Sequence, residues 1–196
     1  DPSLIDPAMA TLPGPALPGL RVPNGMDGFE SAVRVILGQQ VTVPAARTLT
    51  SRLVERFGAP IVTPHDDLTR CFPDAATLAG ASAEAIGTLG IVRQRVGALQ
   101  ALARDVAAGR IALHRGAPLA PTLERLRALP GIGEWTVQLI AMRALAWPDA
   151  LPATDIGVMN ALGTRDAKAV AERAEAWRPW RSYAVMKLWQ SLETGT

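Results

Sequence analysis

Apolar residues recur every three or four positions along most of this 196-residue chain. Spacing of that kind places apolar side chains on one face of an α-helix. No stretch shows the alternation of apolar and polar residues that is typical of a half-buried strand. The pattern therefore predicts an all-α protein of about ten helices.

Start and stop signals predict where these helices begin and end. Asp27 with Glu30 predicts the start of a helix that ends at Gly38. Further helices are predicted at 44–57, after Asp74, after Ser82, and at 92–108, 121–128, 134–146, 155–162, 166–177 and 179–192. The prolines and glycines of residues 1–26 predict an irregular lead-in, so that the helical domain occupies 27–196.

The segment LPGIGEWT, from Leu129 to Thr136, joins two of the predicted helices, and this hairpin unit spans about 121–146. Gly131 and Gly133 permit positive φ angles and let another backbone come close. The free N–H groups of the next helix then favour an anion such as a DNA phosphate. An ordinary helix–helix turn has the same composition, so the glycines alone leave both interpretations open.

Asp155 lies at the predicted start of a helix, after a segment bracketed by Pro148 and Pro152. An N-cap aspartate usually serves only its own helix. In a pocket, however, an ionised carboxylate at a helix N-terminus can stabilise a cationic transition state or orient a water molecule. Asp155 is therefore a candidate for either role.

The last predicted helix is rich in aromatic residues. Three of the five tryptophans and the only tyrosine lie between Trp177 and Trp189. Tyr183, Met186 and Trp189 follow one another at intervals of three and fall near one face of a helix. Such spacing is typical of core packing, and it also suits an aromatic wall for a planar base.

Composition excludes several kinds of site. Cys71 is the only cysteine, and the chain has two histidines, so a cysteine zinc site, an iron–sulfur cluster and an internal disulfide are excluded. No apolar run reaches the roughly 18 residues that span a bilayer. The formal net charge of +2 does not by itself indicate nucleic acid. Lys168 and Lys187 are the only lysines among 20 basic residues, so the other 18 are arginine, which suits phosphate and solvated helix faces alike.

Four segments together resemble the signatures of the helix-hairpin-helix DNA glycosylases. They read VRVILGQQVTVPAARTL from Val33, LPGIGEWT from Leu129, LPATDIG from Leu151 and WRPWRSYAVMKLW from Trp177. The resemblance covers about residues 20–192 and is greatest for the branch of the bacterial 3-methyladenine DNA glycosylase II. It implies the HhH-GPD glycosylase fold, in which two helical subdomains enclose a cleft.

The resemblance implies a role for each matching residue. Asp155 would be the catalytic residue, stabilising oxocarbenium character at C1′ as the N-glycosidic bond breaks. The base pocket would be lined by Trp135, Leu139, Tyr183 and Trp189. DNA would be contacted by Gln39, Gln40, Gly131, Ile132, Gly133, Glu134 and Thr136. The backbone carbonyls of Arg127, Leu129 and Ile132 would hold Na⁺ or K⁺ when DNA is bound, and no other cofactor is expected.

Three positions depart from the family pattern or select a branch within it. Trp135 stands where the lyase branch has a lysine, which implies a monofunctional hydrolase that leaves an abasic site. Gln40 stands where a close relative has a leucine wedge, and Leu139 where the pocket has a tyrosine. The chain begins near where the family's N-terminal α/β domain would end. We therefore expect residues 1–26 to be a remnant of that domain or a linker to it, the domain being either naturally absent or trimmed.

The sequence thus predicts a glycosylase that excises flipped alkylated purines of the 3-methyladenine and 7-methylguanine type. We expect a monomer acting on damaged double-stranded DNA, in the bacterial cytoplasm near the nucleoid, without membrane contact. Two alternatives stay open: a non-catalytic DNA-binding or damage-sensing module, and a glycosylase for deaminated bases. A DNA-binding module would not need Asp155 beside an aromatic pocket. A glycosylase for deaminated bases would differ from one for alkylated purines only in the shape of its base pocket.

Overall fold

The computed structural model describes residues 2–14 and 18–193 of the chain. In these residues eleven α-helices and one 3-10 turn follow one another, with no β-strand and an isolated bridge between Pro60 and Arg70. The helices are α1 Pro2–Met9, α2 Gly28–Leu37, α3 Val43–Phe57, α4 Ala75–Gly80, α5 Ala83–Gly87, α6 Arg93–Ala107, α7 Leu119–Arg127, α8 Glu134–Arg143, α9 Ile156–Ala161, α10 Ala167–Ala174 and α11 Arg181–Glu193; the 3-10 turn is Glu175–Trp177. The prediction of an all-α protein is confirmed.

Most predicted start signals act as side-chain caps. The Asp27 carboxylate accepts the backbone N–H of Glu30 at 2.6 Å, and that of Asp74 accepts the N–H of Thr77 at 2.7 Å. The Ser82 hydroxyl likewise accepts the N–H of Ala85 at 3.1 Å. These bonds satisfy amides that the first helical turn leaves without a partner. Local sequence therefore fixes where α2, α4 and α5 begin.

The irregular lead-in predicted for residues 1–26 is wrong for residues 2–9, which form α1. Proline-rich sequence has a low intrinsic helix propensity, but tertiary packing can override it. Ile5 and Met9 are buried one helical turn apart, and α1 packs against α11. The Lys187 ammonium of α11 donates to the Met9 carbonyl at 2.7 Å, which satisfies an acceptor at the end of α1. The predicted lead-in and domain also include residues 1, 15–17 and 194–196, which lie outside the described residues.

The helix predicted for 134–146 ends earlier, at Arg143. The chain becomes left-handed at Ala146, with φ of 55°, and the Trp147 N–H donates back to the Ala141 carbonyl at 3.0 Å. The segment before α2 caps another carbonyl at the end of α8, because the Asn24 side-chain amide donates to the Met142 carbonyl at 2.8 Å. Tertiary contact therefore ends α8 where the periodic pattern would have continued it.

The helices pack in two groups. In the first group α2 contacts α3, α6 and α8, while α6 also packs against α4 and α5, and α7 packs against α8. In the second group α11 packs against α1 and α9, and α10 against α9. The N-terminus of α9 and the side of α11 meet α8 where the two groups join. No helix of the described residues is long and apolar enough to cross a membrane.

A buried carboxylate ties the end of α6 to the start of the hairpin unit. Asp105 is 5% exposed and accepts hydrogen bonds from the guanidinium groups of Arg125, at 2.6 Å, and Arg110, at 2.6 and 2.9 Å. The hydrogen bond from Arg125, with the help of Arg110, holds the pKa of Asp105 below its usual value near 3.8. The folded state therefore favours the ionised form of this side chain.

We expect Asp105→Asn to lower the free energy of unfolding at pH 7 by about 1–3 kcal/mol, because three hydrogen bonds to a charged acceptor are weakened or lost. A lowered folded-state pKa contributes stability above the unfolded value, and this contribution is lost as pH falls through the folded value. The difference from wild type should therefore shrink below about pH 4. Urea denaturation at pH 7 and at successively lower pH measures both effects. A difference independent of pH would contradict the assignment.

Candidate active site

Asp155 is the N-cap of α9, and its carboxylate is held by three donors. Its Oδ1 accepts the Val158 backbone N–H at 3.0 Å and the indole N–H of Trp189 at 2.8 Å. Its Oδ2 accepts the indole N–H of Trp135 at 2.9 Å. Trp135 belongs to α8 and Trp189 to α11, so the half-buried carboxylate lies where the two helical groups meet.

The three hydrogen bonds orient the carboxylate and leave it able to accept more. A carboxylate has roughly four acceptor directions, and the described residues use two on Oδ1 and one on Oδ2. No donor of the described residues uses the remaining direction on Oδ2. A fixed, partly desolvated anion can stabilise positive charge that develops beside it or orient a water molecule.

The Trp189 ring is itself fixed by a cation. The Arg143 guanidinium lies over it, 5.5 Å from the ring centroid, and donates to the Pro23 carbonyl at 2.8 Å. Burial lowers the pKa of Arg143 from its usual value, yet an arginine remains charged. This contact was not foreseen from the sequence. It means that Trp189 already has a cation over its ring and that its N–H serves Asp155.

A buried ion pair anchors the loop that carries Asp155 to the beginning of α11. Asp149 and Arg181 are 7% and 8% exposed. The Arg181 guanidinium donates from Nε to Oδ1 at 2.7 Å and from Nη2 to Oδ2 at 2.9 Å, and Nη2 also reaches the Asp149 carbonyl at 2.8 Å. Because Trp189 follows on the same helix, this pair helps to hold the loop of Asp155 close to its indole partner.

A second polar connection links the same loop to the hairpin. The Gln138 side chain accepts the Leu151 N–H at 3.0 Å and donates to Glu134 at 2.7 Å. Glu134 in turn receives two hydrogen bonds from Arg127, at 2.8 and 3.0 Å. The bond from Arg127 is the main cause that lowers the pKa of Glu134 from its usual value near 4.5. The negative charge of the Glu134 carboxylate is thus balanced by the Arg127 guanidinium within the protein.

The two hairpin glycines differ in whether the fold requires a glycine at their position. Gly131 has a φ of +75°, and an added Cβ would lie 3.1 Å from the Cβ of Ala98 and 3.3 Å from the Gln94 carbonyl. Gly133, the exposed N-cap of α8, has a φ of −87°, and an added Cβ would meet nothing within 4 Å. The fold therefore requires glycine at 131 only, while position 133 faces open space.

The predicted DNA-contacting residues separate into exposed and internal ones. Gln40 is exposed between α2 and α3 with a φ of 53°, a left-handed conformation that is rare outside glycine. Gln39 instead uses its side-chain amide within the protein, donating to the Gly131 carbonyl at 3.0 Å and the Thr136 hydroxyl at 2.9 Å. Thr136 is 2% exposed and Ile132 6% exposed, so their side chains are internal. A DNA contact by their backbone groups stays a prediction.

The two remaining pocket candidates are Leu139 on α8 and Tyr183 on α11. Leu139 is buried one turn after Trp135, on the same side of α8. The Tyr183 ring packs edge-on against Trp180, with centroids 5.9 Å apart, six residues before Trp189. The described contacts do not join Tyr183 to Asp155, and its place in the pocket stays a prediction. The described residues bring no three His, Cys, Asp or Glu side chains together as a metal-binding group.

A comparison with protein families identifies the superfamily to which this helical fold belongs. The model of the HhH-GPD superfamily base excision DNA repair protein matches residues 33–181, which include the hairpin, Asp155 and the start of α11. The chain belongs to the HhH-GPD superfamily. Its hairpin of α7 and α8 is the helix-hairpin-helix element, and the Asp155 cluster lies directly beyond it.

Curated relatives cover almost the whole chain. The "Probable bifunctional transcriptional activator/DNA repair enzyme AlkA" of Mycobacterium tuberculosis is 40% identical over 96% of this chain. The "DNA-3-methyladenine glycosylase 2" of Escherichia coli is 34% identical, also over 96%. This chain spans 38% of the first relative's length and 66% of the second's.

Solved structures show the same HhH-GPD fold. The 3-methyladenine DNA glycosylase of Schizosaccharomyces pombe in complex with abasic DNA superposes with a TM-score of 0.70. That likeness covers 95% of both chains at 20% sequence identity, and it therefore establishes the fold.

Proposed function

We propose that this protein is a monofunctional DNA glycosylase that hydrolyses the N-glycosidic bond of alkylated purines flipped out of duplex DNA. The observation that carries the proposal is the Asp155 carboxylate, held by two indole N–H groups, with one acceptor direction that no described residue uses. Relatives named as DNA-3-methyladenine glycosylases support the substrate class.

The chemistry follows from charge. As the glycosidic bond breaks, the sugar gains oxocarbenium character, and an oriented anion beside C1′ lowers the energy of that transition state. Asp155 would supply this anion and position the water that attacks C1′. An alkylated purine is a cationic leaving group, so its departure needs little help from an acid. The partly exposed ring of Trp135 would attract the cationic base, a cation–π contribution of about 1 kcal/mol.

Hydrolysis is favoured over a lyase reaction by where the two lysines lie. Lys168 is exposed on α10, 3.9 Å from Glu172. Lys187 is 5% exposed and its ammonium donates to the Met9 carbonyl. Trp135 occupies the position where an amine would be needed, so neither lysine supports a Schiff base. The product would be an abasic site with an intact strand.

Duplex DNA is the proposed partner, and the protein would act on it as a monomer in the bacterial cytoplasm near the nucleoid. Gly133 and the free N–H groups at the start of α8 would hold a phosphate. Gln40 would enter the space that the flipped nucleotide leaves, since it is exposed on a tight turn. The salt dependence of binding would be steep, because contacts to the DNA backbone dominate.

A monovalent cation would fit the hairpin when DNA is bound. The backbone carbonyls of Arg127, Leu129 and Ile132 are neutral oxygen donors of the kind that hard cations prefer. The Leu129 carbonyl accepts the Ile132 N–H at a long 3.3 Å, which leaves a lone pair for a cation. Such an ion would supply positive charge near the bound phosphate.

Base release from methylated duplex DNA tests the proposal. We expect this chain to release 3-methyladenine or 7-methylguanine, resolved by chromatography, while the DNA strand stays intact until it is treated with alkali. Release of hypoxanthine from an inosine-containing duplex, with no release from methylated DNA, would identify a glycosylase for deaminated bases. Binding to the duplex without any base release would contradict the proposal and favour a damage-sensing module.

The two hairpin glycines give a matched test of the DNA interface. Gly133→Ala should leave stability nearly unchanged, since its backbone is extended and its surroundings are open. It should nevertheless weaken duplex binding about tenfold, because a methyl group enters the phosphate position. Gly131→Ala should instead lower the free energy of unfolding by about 1–2 kcal/mol, since it forces a left-handed alanine. Fluorescence anisotropy and urea denaturation measure the two effects. Wild-type DNA affinity for Gly133→Ala would contradict the proposed phosphate site.

A further inference from the structure

Gly157 lies in α9, two residues after Asp155, at the closest approach between this helix and Trp189. A Cβ added at Gly157 would lie 2.8 Å from Cδ1 and 3.0 Å from Nε1 of the Trp189 indole. It would also lie 3.1 Å from Oδ1 of Asp155. The two named indole atoms form the edge that carries the hydrogen bond to Asp155.

The Trp189 ring has little freedom to move away from such a Cβ. Its N–H is held by Asp155 at 2.8 Å, and Arg143 lies over its ring. Arg143 is in turn tied to the Pro23 carbonyl at 2.8 Å. Real Cβ contacts below 3.0 Å are essentially absent, so any residue larger than glycine at 157 would displace the indole edge or the carboxylate.

Backbone conformation does not account for this glycine. Gly157 lies inside α9 and is not among the described residues with positive φ, so an alanine would be accepted by the helix itself. An alanine in the interior of a helix is in fact favoured over glycine. The absence of a side chain is therefore explained by the contact with Trp189.

We propose that Gly157 is a positioning residue: its missing Cβ lets the Trp189 indole N–H reach the Asp155 carboxylate. This inference rests on the proposed function, in which that carboxylate stabilises the developing cation. Substitution of Gly157 would therefore change the geometry of the Asp155 cluster while the helical fold is kept.

The test compares Gly157→Ala with Gly80→Ala. Gly80 also lies in a six-residue helix, α4, and an added Cβ there meets nothing within 4 Å. In ¹H–¹⁵N spectra without DNA, the indole N–H signal of Trp189, assigned by its loss in Trp189→Leu, should move upfield in Gly157→Ala and stay in place in Gly80→Ala. Single-turnover base release should fall about tenfold or more in Gly157→Ala only, the loss expected when a hydrogen bond to a charged group is broken.

A double-mutant cycle separates this explanation from general destabilisation. In the Trp189→Leu background the indole edge is gone, so adding Gly157→Ala should lower base release much less than it does in wild type. An equal loss in both backgrounds, or an unmoved Trp189 signal in Gly157→Ala, would overturn the proposal. The spectra decide it even if the chain releases no base, so failure of the proposed function remains distinguishable.

Discussion

Asp155→Asn should lower single-turnover base release from methylated duplex DNA by at least about 100-fold, as expected when a preorganised charge at the reacting centre is removed. An asparagine keeps one oxygen, which can still accept the N–H groups of Val158 and Trp189. Its amide nitrogen then faces the indole N–H of Trp135, donor against donor, in place of the 2.9 Å hydrogen bond of the carboxylate. The variant thus loses both the negative charge and one indole contact.

Duplex binding by Asp155→Asn should stay within a few-fold of wild type, because backbone contacts supply most of the affinity. Asp166→Asn is the matched control: Asp166 is also an N-cap aspartate, exposed, and accepts the Lys168 N–H at 2.8 Å. It should release base at the wild-type rate. If Asp155→Asn kept its rate within tenfold of wild type, the carboxylate would not be the group that stabilises the transition state.

Arg181→Met should lower the free energy of unfolding by about 3–5 kcal/mol, since it leaves a buried carboxylate without its main partner. Arg181 makes three side-chain hydrogen bonds to Asp149, and both residues are almost fully buried. Base release by the folded fraction should fall as well, because the loop that carries Asp155 loses one of its connections to α11 and keeps those through Ser182 and Trp189. Urea denaturation and single-turnover assays at equal folded concentration measure the two effects.

Arg178→Met provides the comparison on the same carboxylate. Arg178 donates to Asp149 at 2.7 Å, but its side chain is 48% exposed. Exposed ion pairs contribute little to stability, so this variant should remain close to wild type in stability. Equal losses of stability in Arg178→Met and Arg181→Met would show that burial does not explain the contribution of the Asp149–Arg181 pair.

Local sequence was sufficient for the helices whose signals lie next to the residues they act on. The capping aspartates and serine mark the starts of α2, α4 and α5, since an N-cap bond spans three residues. The same local signal correctly placed Asp155 at the start of α9. The order of the family motifs predicted the HhH-GPD fold, and the family match confirms it.

Tertiary packing decided what local pattern predicted wrongly. Helix α1 forms in a proline-rich stretch because Ile5 and Met9 are buried there, and Lys187 from the far end of the chain binds its last carbonyl. Helix α8 ends early because Asn24 binds one of its terminal carbonyls. Contacts between residues so distant in sequence leave no trace in the local pattern of apolar and polar positions.

The chain by itself determined which residue types are present for the chemistry: a capping carboxylate, two tryptophans in separate motifs and a glycine hairpin. Only the tertiary structure decided that both indoles donate to the same carboxylate, that Arg143 covers Trp189, and that Gly157 must lack a side chain. The physical reason is distance along the chain. Helices α8, α9 and α11 approach each other only after folding, and hydrogen bonds and van der Waals contacts act over a few ångströms.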